Sequence, residues 1–519
     1  MVFSRLFPGG GDKSGGAETN VRADPEASDS EPSIIHDGDL AYTRVKGGNG
    51  SKPSYQEAVG APVESSSPLG YHVNWIAIIF LNINMMVGTG VFSTPASILN
   101  RTGSIGLALM YWVIGFLMAS AGFSVYLELA SYFPSRSGSE VVYLEQAYPR
   151  PKHFFPVAFA VQSVILSFSS SNAVEWQMRG VAIAAYTLAV ICVIAHNRYS
   201  LWLVNIIGVL KLTTLVFISI AGLVVLGGNV SHIPDPQANF RNAFEGTTSN
   251  GNDLSGALVS IVFSYAGYYN AFNMTNEIKN PIPTLKKNGV ISLGIVAIGR
   301  QGVLPFTNFW VSTKPFGTPL GPYLLKWTMT FIMIVAPPPA MPFPSLTNVR
   351  IHTVVDLASY PSAIFNFAMT LGVFIIRRRR QRSGIGRSEF RAWDIVVAFF
   401  LAIQVFILAM PWWPPKGGPY AGNVSFWYAT YCVVGIGIII VCILYYIVWM
   451  YVLPRWLNYE IRTEITAVDD NGANTQRIVR VPKADVAQWD EEHDEAGNLR
   501  RRRVTTELES SNSNEKGGF

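Results

Sequence analysis

Apolar residues fall in long runs, with polar and charged residues gathered between the runs and at the two ends of the chain. A hydrocarbon core about 30 Å thick needs roughly 20 apolar residues per crossing helix. Runs near that length cover Trp75–Leu99, Ile105–Phe133, Phe154–Val174, Gly180–Ala195, Leu201–Leu226, Leu254–Asn276, Pro319–Ala336, Val354–Ile376, Trp393–Trp413 and Phe426–Leu453. They predict an all-α polytopic membrane protein with ten spans, and one further run, Gly289–Ile298, is too short to cross alone. Glycine interrupts two of the spans. The first reads Met85-Met86-Val87-Gly88-Thr89-Gly90-Val91-Phe92, and the sixth reads Ser264-Tyr265-Ala266-Gly267-Tyr268-Tyr269-Asn270. A broken helix frees backbone groups that lipid cannot satisfy, so it persists in a bilayer only against protein or a cavity. Paired breaks therefore point to a binding site near the midplane, as in secondary transporters.

Composition agrees with this class, at 49% hydrophobic and 14% charged residues in 519. The ends differ from the middle: residues 1–70 are rich in Gly, Ser and acidic side chains, and Pro454–Phe519 is charged in both signs. Neither end has the apolar content to bury a core. The expected organisation is a disordered N-terminal tail over 1–70, a transmembrane domain over 71–453 and a C-terminal tail over 454–519. The first apolar run is a full span, so no cleavable signal peptide is expected.

Orientation follows from the basic residues. Arg377, Arg378, Arg379, Arg380, Arg382, Arg387 and Arg391 cluster between two spans, which makes that loop cytoplasmic. Counting from it places both termini and the Arg136 loop inside and the loop 227–253 outside, provided the short run Gly289–Ile298 does not cross. We read the arginines as a topology determinant or lipid contact and not as a nucleic-acid site. Glu128 and Asp356, near span ends, read as solvated or interfacial. Cys192, Cys432 and Cys442 lie in predicted spans, which argues against a disulfide framework. The seven histidines lack metal-ligand spacing, and no nucleophile motif or phosphate loop stands out. No metal, cofactor or enzymatic activity is therefore expected.

The Gly-Thr-Gly break has its own chemistry. The half-helix that begins there has backbone N–H groups without intrahelical partners and roughly half a positive charge from its summed dipoles. That suits a carboxylate, which Gly88 and Gly90 let approach closely and to which the Thr89 hydroxyl adds a donor. Freed carbonyls at Met86 on one break, and at Phe263 and Ala266 beside Gly267 on the other, offer acceptors for an ammonium group. Donors on one side and carbonyls on the other match the zwitterionic end of an α-amino acid. Each glycine pair alone is also what ordinary helix packing uses; the pairing of the two breaks is what singles them out.

The stretch Gly88-Thr89-Gly90-Val91-Phe92-Ser93-Thr94-Pro95 resembles the first-helix signature of the amino acid, polyamine and organocation (APC) transporter superfamily. Pro134-Ser-Arg-Ser137-Gly138-Ser-Glu-Val-Val-Tyr143-Leu144 resembles its loop after the second helix, and Asn276-Glu277-Ile-Lys279-Asn280-Pro281 the end of its sixth. Arg300-Gln-Gly302-Val-Leu304-Pro305-Phe306 resembles the loop between the eighth and ninth helices. With Leu69-Gly70-Tyr71 and Ala358-Ser359-Tyr360-Pro361, the pattern is most similar to the fungal branch that includes high-affinity methionine permeases.

The resemblance runs from about Ala61 to Leu453 and implies an inverted five-helix repeat with broken first and sixth helices. It implies a substrate carboxylate on Thr89 and Gly90, the amine on the carbonyls of Met86, Phe263 and Ala266, an aromatic gate at Phe263 and a bulky flank at Tyr268; ordinary aromatic packing is the alternative for the last two. Lys211 sits near the middle of its span, where a charge is expensive and usually functional. In proton-coupled members of the superfamily a lysine at this position replaces a sodium ion, so Lys211 is the expected proton-coupling group or structural cation, against plain packing.

Family members have twelve helices. Here the seventh breaks off after Gly289–Ile298 and runs into Arg300, so most of the seventh and eighth is missing; Asn172–Met178 looks shortened and Pro339–Thr353 inserted. The expected function is amino acid permeation: proton symport of methionine or another neutral L-amino acid, in the plasma membrane. The alternative is a transport-inactive nutrient sensor or interaction protein, or a truncated, non-functional gene model in which an exon is skipped or mispredicted. Lys46 and Lys52 are candidate ubiquitin acceptors for a ubiquitin-ligase adaptor on the cytoplasmic tails, against simple solvated linker lysines.

Overall fold

The computed structural model describes residues 89–134, 138–169, 240–288, 347–415 and 427–467, then 474–493, with three short strands before residue 58 and scattered positions elsewhere, mainly between 73 and 86 and between 184 and 224. The expected spans 180–195 and 319–336, the short run 289–298 and the shortened stretch 172–178 lie wholly or largely outside them. Strands β1 (Ser33–Asp37), β2 (Leu40–Val45) and β3 (Ser54–Glu57) form an antiparallel sheet in the order β1-β2-β3. The membrane part follows with α1 (Thr89–Thr102), α2 (Ile105–Tyr132), the short α3 (Glu140–Ala147), α4 (Phe154–Ser169), α5 (Gly251–Tyr265), α6 (Pro281–Asn288), α7 (Thr347–Arg382), α8 (Asp394–Ala409) and α9 (Thr430–Ile447). Among the described residues four helices are long and apolar enough to cross a membrane: Ile105–Tyr132, Ser359–Arg382, Asp394–Trp412 and Thr430–Trp456.

Local chemistry starts the helices where they start. Ser104 caps α2, its hydroxyl accepting from Leu107 N at 3.4 Å, and Asn250 caps α5 by accepting from the backbone N–H groups of Asn252 and Asp253 at 2.8 and 3.3 Å. Each cap satisfies donors that the first turn leaves unpaired. The loop before α5 is stitched to the α1–α2 corner, where Gly106 N donates to Ala243 O at 2.7 Å and Thr248 N to Thr102 O at 3.0 Å.

Small residues then bring α2 against α5. A Cβ on Gly115 would collide with Ile261 and Tyr265, and one on Gly122, two turns on, with Tyr268 and Phe400. Bare backbone at Gly115 permits the close approach to α5, and at Gly122 that of the segment past α5 and of α8.

Both chain ends carry strands, which the all-helical reading does not anticipate. Besides the N-terminal sheet, β4 (Tyr459–Ala467) pairs antiparallel with β5 (Asn474–Pro482), and α10 (Val486–Glu492) follows. Residues Tyr459, Ile461, Thr463 and Ile465 alternate with Glu460, Arg462 and Glu464, a period-two pattern that favours a strand. An average over the charged tail hides that pattern. Arg462 grips Asp490 of α10 with two bonds of 2.8 and 2.9 Å, which hold the Asp490 carboxyl below its usual range. The hairpin also touches the helical part: Thr463 Oγ1 lies 3.3 Å from His153 Nε2, and His153 Nδ1 lies 3.7 Å from Glu145 of α3.

Candidate functional site

Two contacts fix how α1 lies along α5. Thr94 and Ser264 share a buried hydroxyl hydrogen bond of 2.6 Å, and the Arg101 guanidinium occupies the space over Gly256. Residue numbers rise along one helix as they fall along the other, so the pair is antiparallel. Continuing that register brings Thr89, five residues before Thr94, level with the segment just past the end of α5.

That segment is not helical. Regular α5 ends at Tyr265; Ala266 is extended at φ −56° and ψ 131°, and its N–H turns back to Phe263 O at 3.2 Å. Gly267 follows at φ +126°, a conformation that a side chain disfavours. A 3-10 turn over Ala271–Glu277 resumes the path. The Phe263 carbonyl, expected to be free, therefore already accepts one bond and keeps a single lone pair for a ligand.

The remaining expected residues divide into placed and unplaced. Met86 is a half-buried helical position packed against the core. Thr89 and Gly90 open α1, whose first backbone N–H groups lack intrahelical acceptors. Gly88 and the Thr89 side chain lie outside the described residues. Phe263 is half-buried, and Ala266 likewise. Tyr268 is buried, with its hydroxyl close to Gly122 and its ring edge-on to Tyr126 at 6.0 Å. Lys211 is a half-buried helical position.

Glu128 corrects an expectation. Far from being solvated or interfacial, it is fully buried and holds the densest charged network among the described residues. Its carboxylate accepts from Arg377 Nε at 2.7 Å and Nη2 at 2.6 Å, from Tyr132 OH at 2.6 Å and from Ala392 N at 2.9 Å. Arg377 also meets Asp394 at the start of α8. Arg379 donates to the carbonyls of Gln146 and Ala147 at 2.8 and 3.1 Å, and Arg380 lies over the Tyr132 ring at 4.8 Å. Part of the arginine cluster is thus internal mortar between α2, α3, α7 and α8. The available signal was a lone carboxylate late in an otherwise uncharged helix, which must find a cation if it faces inward.

A set of long apolar helices, one span interrupted at a left-handed glycine and a second helix opening beside it, defines a polytopic membrane transporter. The chain belongs to the amino acid permease family, whose sequence profile matches residues 73–298 and 294–439, and its activity is that of an amino acid permease. It is similar to the high-affinity methionine permease of Saccharomyces cerevisiae, 28% identical over 505 residues that take in 81% of this chain and 86% of the relative. The low-affinity methionine permease of the same yeast is 23% identical over 496 residues, 78% of this chain and 87% of that one. Over a shorter stretch the chain resembles the b(0,+)-type amino acid transporter 1 of Mus musculus, 27% identical over 253 residues, 45% of this chain and 50% of the other. These relatives are transporters and not enzymes. The two matched pieces meet at 294–298, where the sequence predicts that the seventh helix runs straight into the loop after the eighth; residues 289–346 lie outside those described.

Proposed function

We propose that this chain carries methionine or another neutral L-amino acid into the cell by alternating access, coupled to a proton. The observation that carries the reading is the interruption of α5 at Gly267, level with the start of α1. On this reading Thr89 and Gly90 hold the substrate carboxylate, with Gly88 allowing its approach. Met86, Phe263 and Ala266 offer carbonyls to the amine, Gly267 makes the turn, and Tyr268 flanks the pocket. Lys211 is the coupling or structural cation. The protein sits in the plasma membrane with both termini and the arginine-rich end of α7 in the cytoplasm, and its tails present Lys46 and Lys52 to a ubiquitin-ligase adaptor.

Uptake of labelled methionine is expected to rise as the outside pH falls and to drop by about tenfold or more in Gly90→Val, whose side chain blocks the carboxylate's approach. Uptake unmoved by that substitution would remove the site. A second reading, a sensor that binds amino acid without moving it, draws on the two-piece family match at 294–298. Reconstituted vesicles separate the two, since a sensor gives saturable binding with no flux.

A further inference from the structure

Beside the α5 interruption lies a half-buried carboxylate that no role above uses. Glu140 opens α3, and its Oε1 accepts from Tyr126 OH at 2.9 Å. Tyr126 is fully buried in α2, and its ring stacks on Tyr269 at 5.2 Å and 22° and stands edge-on to Tyr268 at 6.0 Å. Both of those tyrosines belong to the non-helical segment after α5. One hydroxyl and one ring therefore join Glu140 to the segment that directly follows Ala266, one of the carbonyls proposed to meet the substrate amine.

We infer that Glu140 is a proton-binding group of the transport cycle, its ionisation acting through Tyr126 on the interrupted segment Gly267–Asn270. The inference rests on the proton-coupled reading above and adds a residue to it. An ionised Glu140 accepts a charge-assisted bond from Tyr126, roughly twice as strong as a neutral one, and pins the tyrosine cluster. A proton taken up on the carboxylate neutralises it and weakens that bond, freeing Tyr126, Tyr268 and Tyr269 to shift; releasing the proton restores the clamp. No other bond is made or broken.

The surroundings suit a group that changes charge. Among the described residues, the titratable groups that interact with Glu140 are Tyr126 from α2, Tyr143 on its own helix, and Tyr268 and Tyr269 from beyond α5. From α7, Asn366 Oδ1 lies 3.4 Å from the Tyr126 hydroxyl. Arg379, His153 and Glu145 gather at the other end of α3, about 9 Å away along the axis. No ion pair fixes Glu140 among the described residues. Desolvation pushes its carboxyl above the usual range, against its own backbone N–H and the Tyr126 and Ser139 hydroxyls, which lower it. A purely structural acid would be expected to keep a cationic partner, as Glu128 does with Arg377.

The test uses the full chain in proteoliposomes, comparing wild type, Glu140→Gln and Tyr126→Phe in two assays: methionine accumulation driven by an inward proton gradient, and methionine exchange at equal pH. Glu140→Gln is expected to lose gradient-driven accumulation by about tenfold or more while exchange stays within about twofold. Tyr126→Phe is expected to keep accumulation but move the pH of its half-maximum. Gradient-driven accumulation that persists in Glu140→Gln overturns the inference, as does equal loss of exchange and accumulation in a variant that elutes and melts like wild type. If Glu140→Gln does not fold, an unshifted pH profile in Tyr126→Phe overturns it. A wild type that exchanges methionine but ignores the gradient refutes the proton-coupled reading instead.

Discussion

At the scale of single residues, the strongest constraint is Glu128 and its four donors. Removing the guanidinium leaves a buried carboxylate without its cation, and breaking a buried pair from one side costs about 3–5 kcal/mol. Arg377→Gln should therefore lower the melting temperature in detergent sharply. The double variant with Glu128→Gln should recover part of the loss, because it removes the stranded charge; a double variant no better than the single would mean that the charge is not the cause. Sequence reading located Glu128 late in its span but could not choose its partner. Seven arginines crowd one loop, and the one that answers Glu128 is 249 positions away. The helix interruption at Gly267 was more legible than this pair, because a glycine break is a local feature whereas a buried ion pair is set by tertiary contact.

At the scale of elements, the interruption of α5 is where sequence and structure meet most closely. The expected span Leu254–Asn276 is one helix to Tyr265, a glycine turn and then a 3-10 turn. Gly267 was readable because few residues other than glycine tolerate φ +126°. Gly267→Ala places a Cβ in a sparsely populated backbone region, at about 1–3 kcal/mol. It should reduce methionine uptake several-fold while leaving the protein foldable, which uptake kinetics and size-exclusion profiles of the variant would check. Wild-type kinetics would show that the left-handed turn has no part in the site. The β4–β5 hairpin was not read, because composition averaged over the tail conceals a nine-residue alternation that only a short window reveals.

At the scale of the whole molecule, the chain divides by how its helices are joined. Charge ties α2 to α7 and to the start of α8 at the arginine-rich end, and the C-terminal hairpin reaches the same region through Thr463, His153 and Glu145. The pair α1 and α5 is held differently, by a shared hydroxyl bond at Thr94 and Ser264 and by an arginine laid over a glycine. If that pair travels as a single body during transport, a covalent bridge inside it is harmless. With the native cysteines Cys192, Cys432 and Cys442 replaced by serine, Thr94→Cys with Ser264→Cys should form a disulfide on mild oxidation, since the parent side chains already point at each other. Methionine uptake should then remain within about twofold of the reduced protein. Arrest on oxidation, reversed by reductant, would show that the two helices must part in every cycle, and would make the seam between them the moving gate.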